Sequence, residues 1–417
     1  MKLHLSISAA LMGLSLSLLA TGEAHAASFT FTKIADTSGS FSSFFDAPAI
    51  NNQGTVAFRT SEGIFAGNGE TITTISNTTV SPQFPISASS DISINDEGTV
   101  AFNADLESRI VPGDGRKIFR KGIFTSNGTT TNTIEIFATD GRRRNTIDSP
   151  SINNQGTLGF SYSSEGYVEE DDSTVQTRKG TTTTTIASGV APRFDGIPTR
   201  SVESYSLNDQ GIVAFRRGLS GGGSGIFTGN GTTTTTIADT SGIFSNLGAA
   251  SINNEGTVAF NADLDAGGEG IFTGNGTTTT TIADTSGIFS NFGAASINDA
   301  GIVAFLAGQD AGGTGIFTGS NSLTNKVIGT GDTLFGSTVT SLGFFREGLN
   351  NPGQLAFFAS LADGTTGIFR ADHRGVPDEP TKDVPEPASG LGLLALGALG
   401  AGSMMQRKQK QQIDDQL

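Results

Sequence analysis

ASINNEGTVAFNADLDAGGEGIFTGNGTTTTTIAD, running from Ala250 to Asp284, decides how this chain folds, because almost the same words precede and follow it. The unit opens on an apolar residue and Asn, makes a four-residue N-x-x-G turn and returns through TVAF. A Gly-rich loop, GIF, an Asn-Gly turn and a Thr-rich strand complete it. The leading Asn recurs at Asn51, Asn95, Asn153, Asn208, Asn253, Asn298 and Asn350, at intervals of 44, 58, 55, 45, 45 and 52 residues. Seven copies at this period, with several short strands in each, indicate a propeller or related repeat array rather than one irregular core.

The turns explain the spelling. The side chain of Asn253 can bond to the backbone two residues on, and Gly256 can adopt the left-handed conformation of a type I turn followed by a bulge. Gly54, Gly98, Gly156, Gly211, Gly301 and Gly353 stand in the same place in the other copies. Asn230-Gly231 and Asn275-Gly276 predict type I′ hairpins joining the GIF and TTTTTI strands. Each unit is then two hairpins in series, a four-stranded antiparallel meander. The third copy departs from this spelling, with Gly166-Tyr167-Val168 where the others have GIF.

Along TVAF, Val258 and Phe260 share one face while Thr257 and Ala259 share the other. A sheet with one large-residue face and one small-residue face stacks on its neighbour, Ala against Phe. Phe58, Phe102, Phe160, Phe215, Phe260, Phe305 and Phe357 are therefore expected between the sheets, each burial contributing roughly 1.5–3 kcal/mol.

The chain ends fit a closed ring. Ser28 to Thr37 reads SFTFTKIADT, a period-2 strand ending in the IADT that also closes the Thr-rich strands at Ile237 to Thr240 and Ile282 to Thr285. It is a fourth strand arriving without its first three. The seventh copy passes through LNNPGQLAF and GIFRAD and stops without a Thr-rich strand. If the first strand completes the last sheet, two exposed strand edges disappear. The expected fold is all-β: a seven-bladed β-propeller of four-stranded antiparallel blades over residues 28–372, closed by the N-terminal strand.

With the strands of each blade running outward from the ring centre, the N-x-x-G and Asn-Gly turns share one end of the ring, and the loops after TVAF and after IADT share the other. The first end is uniform. The second carries the variation: the insertion around Leu106 to Lys121, the stretch Tyr162 to Lys179, Gly221 to Gly223, and Phe-bearing connectors such as Ser38 to Phe45 and Ser286 to Phe292. Variable loops on a regular scaffold are where binding usually sits.

Residues 1–26 read as a secretory signal peptide, with Lys2 and His4, an apolar run from Leu5 to Ala20 and the triplet Ala24-His25-Ala26. Cleavage after Ala26 starts the mature chain at Ala27. At the other end, residues 373–387 form a Pro-rich polar linker. Residues 388–410 form a hydrophobic sorting or transmembrane segment, a Gly-rich apolar helix from Ala388 to Met405 followed by Arg407, Lys408 and Lys410.

Composition narrows the chemistry. There is no Cys, which excludes disulfides, zinc-thiolate sites and Cys nucleophiles. His4 and His25 lie in the signal peptide, so only His373 remains and neither a Ser-His-Asp triad nor a His-ligated metal centre is expected. The formal charge of -15 opposes nonspecific binding to nucleic acid. Asp36-Thr37-Ser38-Gly39, Asp239-Thr240-Ser241-Gly242 and Asp284-Thr285-Ser286-Gly287 come near the Asp-Thr-Gly of aspartic proteases, but Ser interrupts the triplet and the element recurs with the repeat. Turn chemistry is the better account.

The acidic run Glu169, Glu170, Asp171 and Asp172 lacks the spacing of a calcium loop and reads as a solvated insertion. Arg142, Arg143 and Arg144 can meet anionic polysaccharide or pair with those carboxylates. Asn127-Gly128-Thr129, Asn230-Gly231-Thr232 and Asn275-Gly276-Thr277 match the glycosylation sequon but are turn residues first. No catalytic residue, cofactor or metal site is singled out.

Val384-Pro385-Glu386-Pro387, the apolar stretch and the basic tail together resemble the PEP-CTERM sorting signal of exosortase-bearing Gram-negative bacteria. The resemblance implies transient insertion in the cytoplasmic membrane, recognition by an exosortase-type enzyme, removal of the tail and delivery to the cell surface or an exopolysaccharide matrix. The tail departs from the usual compact Arg cluster by extending to QQIDDQL. The repeats resemble the NxxGxxAF tandem repeats of this export class; the third copy, NNQGTLGF, has Gly159 in the Ala position. The function expected is that of a noncatalytic binding or structural component of the cell surface or matrix, with exopolysaccharide or another surface protein as partner. The alternative is a propeller enzyme, hydrolase or lyase, acting on polysaccharide through a carboxylate pair.

Overall fold

The N-x-x-G turn sets the geometry of each blade. In the fifth copy Gly256 N–H donates to Asn253 O at 3.1 Å and Asn253 N–H to Thr257 O at 3.1 Å. Gly256 has φ +79°, which side chains rarely tolerate, and so supplies the bulge that turns the first strand back as the second. In the computed structural model, which describes residues 29–77, 92–110, 115, 117–139, 143–147, 150–166, 171–191, 202–219, 222–319 and 325–373, this unit is built seven times.

Blade 5 shows the plan: Phe244–Ile252, Val258–Leu264, Glu269–Gly274 and Thr279–Asp284 pair in that order, all antiparallel. Blade 1 (44–77), blade 2 (93–139), blade 4 (202–239) and blade 6 (289–329) follow it. The fold is a seven-bladed β-propeller. In blade 3 the first position is shared by Arg143–Ile147 and Ser151–Ile152, both paired to Leu158–Gly166.

Blade 7 is completed by the other end of the chain. Ser337–Gly343, Leu355–Leu361 and Thr366–His373 supply three strands, and Phe29–Asp36 pairs antiparallel on the last of them, from Phe29 opposite His373 to Asp36 opposite Gly367. Asp372 latches this seam. Its carboxylate accepts Thr32 Oγ1–H at 3.1 Å, Arg370 Nε–H at 2.8 Å and the Gln354 amide, and Arg370 Nη1 continues to Gly54 O of blade 1 at 2.7 Å.

The core lies between blades, as the two-faced sheets require. Ala259 of blade 5 packs in one cluster with Phe305 of blade 6, Ala304 with Phe357 of blade 7, and Ala356 with Phe58 of blade 1. The seven predicted Phe are all at most 2% exposed.

Three local expectations need correction. The Asn-Gly hairpins are not type I′, because only their Gly has positive φ. Residues 275–278 form a longer loop in which Asn275 Oδ1 accepts the N–H groups of Thr277 and Thr278, both at 3.0 Å, so the Asn side chain replaces the second left-handed residue. Gly276, at φ +87°, rests on the outer strand of blade 4, where a Cβ would come within 2.6 Å of Thr235 Cγ2. In blade 3 the third strand is Asp171–Lys179, with Val175 fully buried, and Gly166, read as opening that strand, ends the second strand instead. The insertions around Leu106 to Lys121 and Tyr162 to Lys179 are lengthened hairpins, Val100–Ile110 with Lys117–Ser126 and Leu158–Gly166 with Asp171–Lys179.

Candidate functional site

Because first strands end at N-x-x-G turns, all seven turns converge at one end of the ring, around an axial mouth of about 660 Å³ open to solvent. The leading Asn residues are buried there and form a closed circle. Each side-chain amide donates to the backbone carbonyl of the Asn in the next blade: Asn51 to Asn95 at 2.9 Å, Asn95 to Asn153 at 3.5 Å, Asn153 to Asn208 at 2.8 Å and Asn208 to Asn253 at 3.1 Å. Asn253 then reaches Asn298 at 3.0 Å, Asn298 reaches Asn350 at 3.2 Å, and Asn350 returns to Asn51 at 2.8 Å. The same side chains hold their own turns, as where Asn253 Oδ1 accepts Thr257 N–H at 2.9 Å.

A second circle surrounds the mouth one residue further on, where Asn52, Asp96, Asn154, Asp209, Asn254, Asp299 and Asn351 alternate amide and acid. The backbone N–H of each donates to the side chain of the next, from Asn52 to Asp96 at 2.7 Å round to Asn351 to Asn52 at 2.8 Å. The amides also clamp the acids: Asp299 Oδ2 accepts from Asn254 at 2.8 Å and Asn351 at 2.6 Å, and Asp209 Oδ2 from Asn154 at 3.3 Å and Asn254 at 3.1 Å. The alternation keeps carboxylates apart, and an odd blade number forces one Asn351–Asn52 junction. The residues of the first circle were expected as turn residues, and the second circle was not anticipated. Its signal was there to read, since every leading Asn is followed by Asn or Asp.

These carboxylates are engaged in holding blades together. Among the described residues no group of three or more His, Cys, Asp or Glu is placed to hold a metal ion.

The opposite end gathers the connectors and the loops between second and third strands. Phe244 and Phe289 of the connectors are plugs, under 5% exposed, with rings 5.0 Å from Phe272 and 4.9 Å from Phe317. They belong to the core rather than to a binding surface. Phe335 takes the corresponding place 5.7 Å from Phe369, yet it is 54% exposed and has φ +48°, a costly conformation for a bulky residue. Ile243 and Ile288, at the same end in blades 5 and 6, are exposed as well.

The Asp-Thr-Ser-Gly elements are turns here. Asp239 Oδ1 accepts Ser241 N–H at 2.9 Å and Ser241 Oγ–H at 2.5 Å, and this Ser hydroxyl, with its N–H, holds the carboxyl below its ordinary range. At Asp36 burial pushes upward, but hydrogen bonds from Lys33 and Ser38 outweigh it and the pKa is lowered. Such carboxylates stay ionised and accept hydrogen bonds, unlike a proton-sharing catalytic dyad. Glu62 follows the same rule, the Ser42 hydroxyl holding it at about 2. Glu269 is the exception. Burial raises its pKa against an opposing Phe292 N–H, and Asp263, its cross-strand partner, raises it further.

Asn127, Asn230 and Asn275 of the three sequons accept hydrogen bonds inside their turns. The signal peptide with Ala24, Ala26 and Ala27, Arg142, Glu169, Glu170, the linker beyond His373, the Val384–Pro387 motif and the hydrophobic segment lie outside the described residues, while His373, expected to open the linker, ends the last strand. Among the described residues no helix is long and apolar enough to cross a membrane.

Residues 94–347 match the model of a family of unknown function, DUF7453, and residues 383–408 match the PEP-CTERM protein-sorting motif. That motif implies an exported chain, transiently anchored at the membrane and processed by an exosortase-type enzyme. No curated protein matches. Among solved structures, the Hadza microbial sialidase Hz136 is 11% identical over 76% of this chain and 73% of its own, at TM-score 0.40. YCF48 from Cyanidioschyzon merolae is 11% identical over 82% and 98%, at 0.41. The GH74 xyloglucanase from Xanthomonas campestris is 10% identical over 81% and 60%, at 0.34. At these values the likenesses carry no conclusion about activity.

Proposed function

From the premise that the chain belongs to the family of unknown function DUF7453 and ends in a sorting motif, we propose that it is a noncatalytic binding component of the cell surface or its exopolysaccharide matrix. It engages a glycan or another surface protein through the loops after TVAF and after IADT. The observation that supports this most is the contrast between the two ends. The Asn end spends its polar groups on circles that tie the blades together. Among the described residues, six of the nine exposed large apolar ones, Phe45, Ile110, Phe119, Ile243, Ile288 and Phe335, belong to the strand ends and loops of the other end. Apolar groups left in water on rigid connectors favour association.

Exchanging these loops for short Gly-Asn turns in the exported chain is expected to release it from the cell surface while leaving its folding intact. Surface association unchanged by the exchange, measured by fractionating cells and medium, would contradict the binding role.

One observation favours a second reading, a polysaccharide-cleaving enzyme: Glu269, whose pKa burial raises, stands across the strands from the carboxyl of Asp263 at the loop end. Turnover on a glycan panel that disappears in Glu269→Gln would establish it.

A further inference from the structure

The loop end repeats one pairing in blades 5 and 6, and blade 7 brings an apolar residue and a carboxylate together through a different contact. In blade 5, exposed Ile243 lies beside exposed Asp265, whose N–H donates to Ile243 O at 3.0 Å. In blade 6, Ile288 and Asp310 are joined by the same bond at 3.0 Å. In blade 7, Asp363 N–H donates to Ser337 Oγ at 3.2 Å, two residues from Phe335. In blades 5 and 6 an apolar side chain and a carboxylate are thus fixed by a backbone hydrogen bond; in blade 7 that bond joins Ala362 N–H to Thr338 O at 2.8 Å, and Asp363 and Phe335 are set near each other through Ser337 instead. Beside Ile288 a shallow cleft of about 380 Å³ opens between Thr281–Asp284 and Gly287–Phe289.

Acids outnumber cations on this arc. Asp263, Glu269 and Asp284 add to Asp265, Asp310 and Asp363, whereas Asp332 is paired with Lys326 at 2.9 Å, and Lys33 bonds Asp36 at 2.7 Å with its ammonium 5.8 Å from the centre of the Phe335 ring. At the blade 4 side Arg216 bonds Asn246 at 3.4 Å, whose amide in turn donates to Asp263 at 3.2 Å. The Lys33 contact shows that the Phe335 ring can accept a cation over its face. Neutral sugar would leave the acids unanswered and an anionic polymer would be repelled. A chain bearing apolar residues interleaved with Lys or Arg satisfies both halves of every pair.

Building on the binding role proposed above, we infer that the loop end of blades 5–7 is the docking surface for a cationic, apolar-rich protein segment of another surface molecule. Ile243, Ile288 and Phe335 are the apolar anchors, and Asp265, Asp310 and Asp363 set charge and register.

The test uses a fluorescein-labelled peptide of alternating Lys and Leu, with binding to the purified exported chain followed by anisotropy. Binding is expected and should weaken as salt is raised, because exposed charges are screened. The combined variant Asp265→Asn, Asp310→Asn and Asp363→Asn should weaken it about tenfold or more, as should Ile243→Ser, Ile288→Ser and Phe335→Ser together. The equal charge change on the Asn end, Glu70→Gln, Glu97→Gln and Glu255→Gln, should leave affinity unchanged. No binding, or equal weakening by the Asn-end variant, would overturn the inference. If loop exchange releases the chain from cells while the peptide fails to bind, the partner class is wrong and the binding role stands. If loop exchange releases nothing, the binding role itself fails.

Discussion

A chain lacking Phe29–Asp36 is expected to lose about 5 kcal/mol or more of stability and to aggregate, where the chain beginning at Ala27 folds as a monomeric ring. The strand contributes Ile34 and Ala35, 4% and 6% exposed, to the cluster that joins blades 7 and 1, and Phe31 meets Phe357 edge-on at 6.1 Å. Loss of such side chains costs roughly 1.5–3 kcal/mol each for the large ones. The register with Thr366–His373 is lost as well, and that inner strand becomes a bare edge open to another chain. Since folded domains are stable by only about 5–15 kcal/mol, one strand can decide whether the ring exists. Urea unfolding followed by fluorescence and sedimentation checks this; an unchanged midpoint without aggregation would mean that closure is dispensable.

The second large effect is expected at the inner circle. Asn253→Ala removes the donor to Asn298 O and the acceptor for Thr257 N–H, leaving two groups unpaired where the side chain is 5% exposed. At about 1–3 kcal/mol for each orphaned group, the loss should be about 2–5 kcal/mol. Asn253→Asp should cost more at neutral pH, because it keeps the acceptor but sets a carboxylate against the Asn298 carbonyl. Thermal or urea unfolding of both variants gives the order; two variants as stable as the parent would show that the circle carries no energy.

How much of this was legible follows from the range of each interaction. The blade count, the second-strand Phe and the closing strand could be read because repeat period, alternation and a missing fourth strand are written locally. The closure of the inner Asn circle could not, since Asn253 meets Asn298 only after two blades stand side by side; the outer circle left a local trace in the Asn or Asp that follows every leading Asn. Asn275 was expected in a left-handed turn conformation. Its side chain instead caps two N–H groups, a competition that the dipeptide Asn-Gly does not reveal. The third strand of blade 3 was misplaced because its GIF spelling has eroded. There the pairing of Leu158 with Arg178, not the motif, sets the register. The connector phenylalanines were grouped with variable loops, yet Phe244 and Phe289 fill space beneath their blades. Phe45 and Phe335, at 38% and 54% exposed, are the loop-end phenylalanines that stay in water.

The central claim is a division of labour, with an Asn end that holds the ring and a loop end that meets a partner. Site-specific photo-crosslinking on intact cells tests it most directly, with a photoreactive residue at Ile243, Ile288 or Phe335 on one end and at Glu70, Glu97 or Glu255 on the other. Adducts with surface material from the loop-end positions alone are predicted. Adducts from the Asn end, with none from the loop end, would contradict the account.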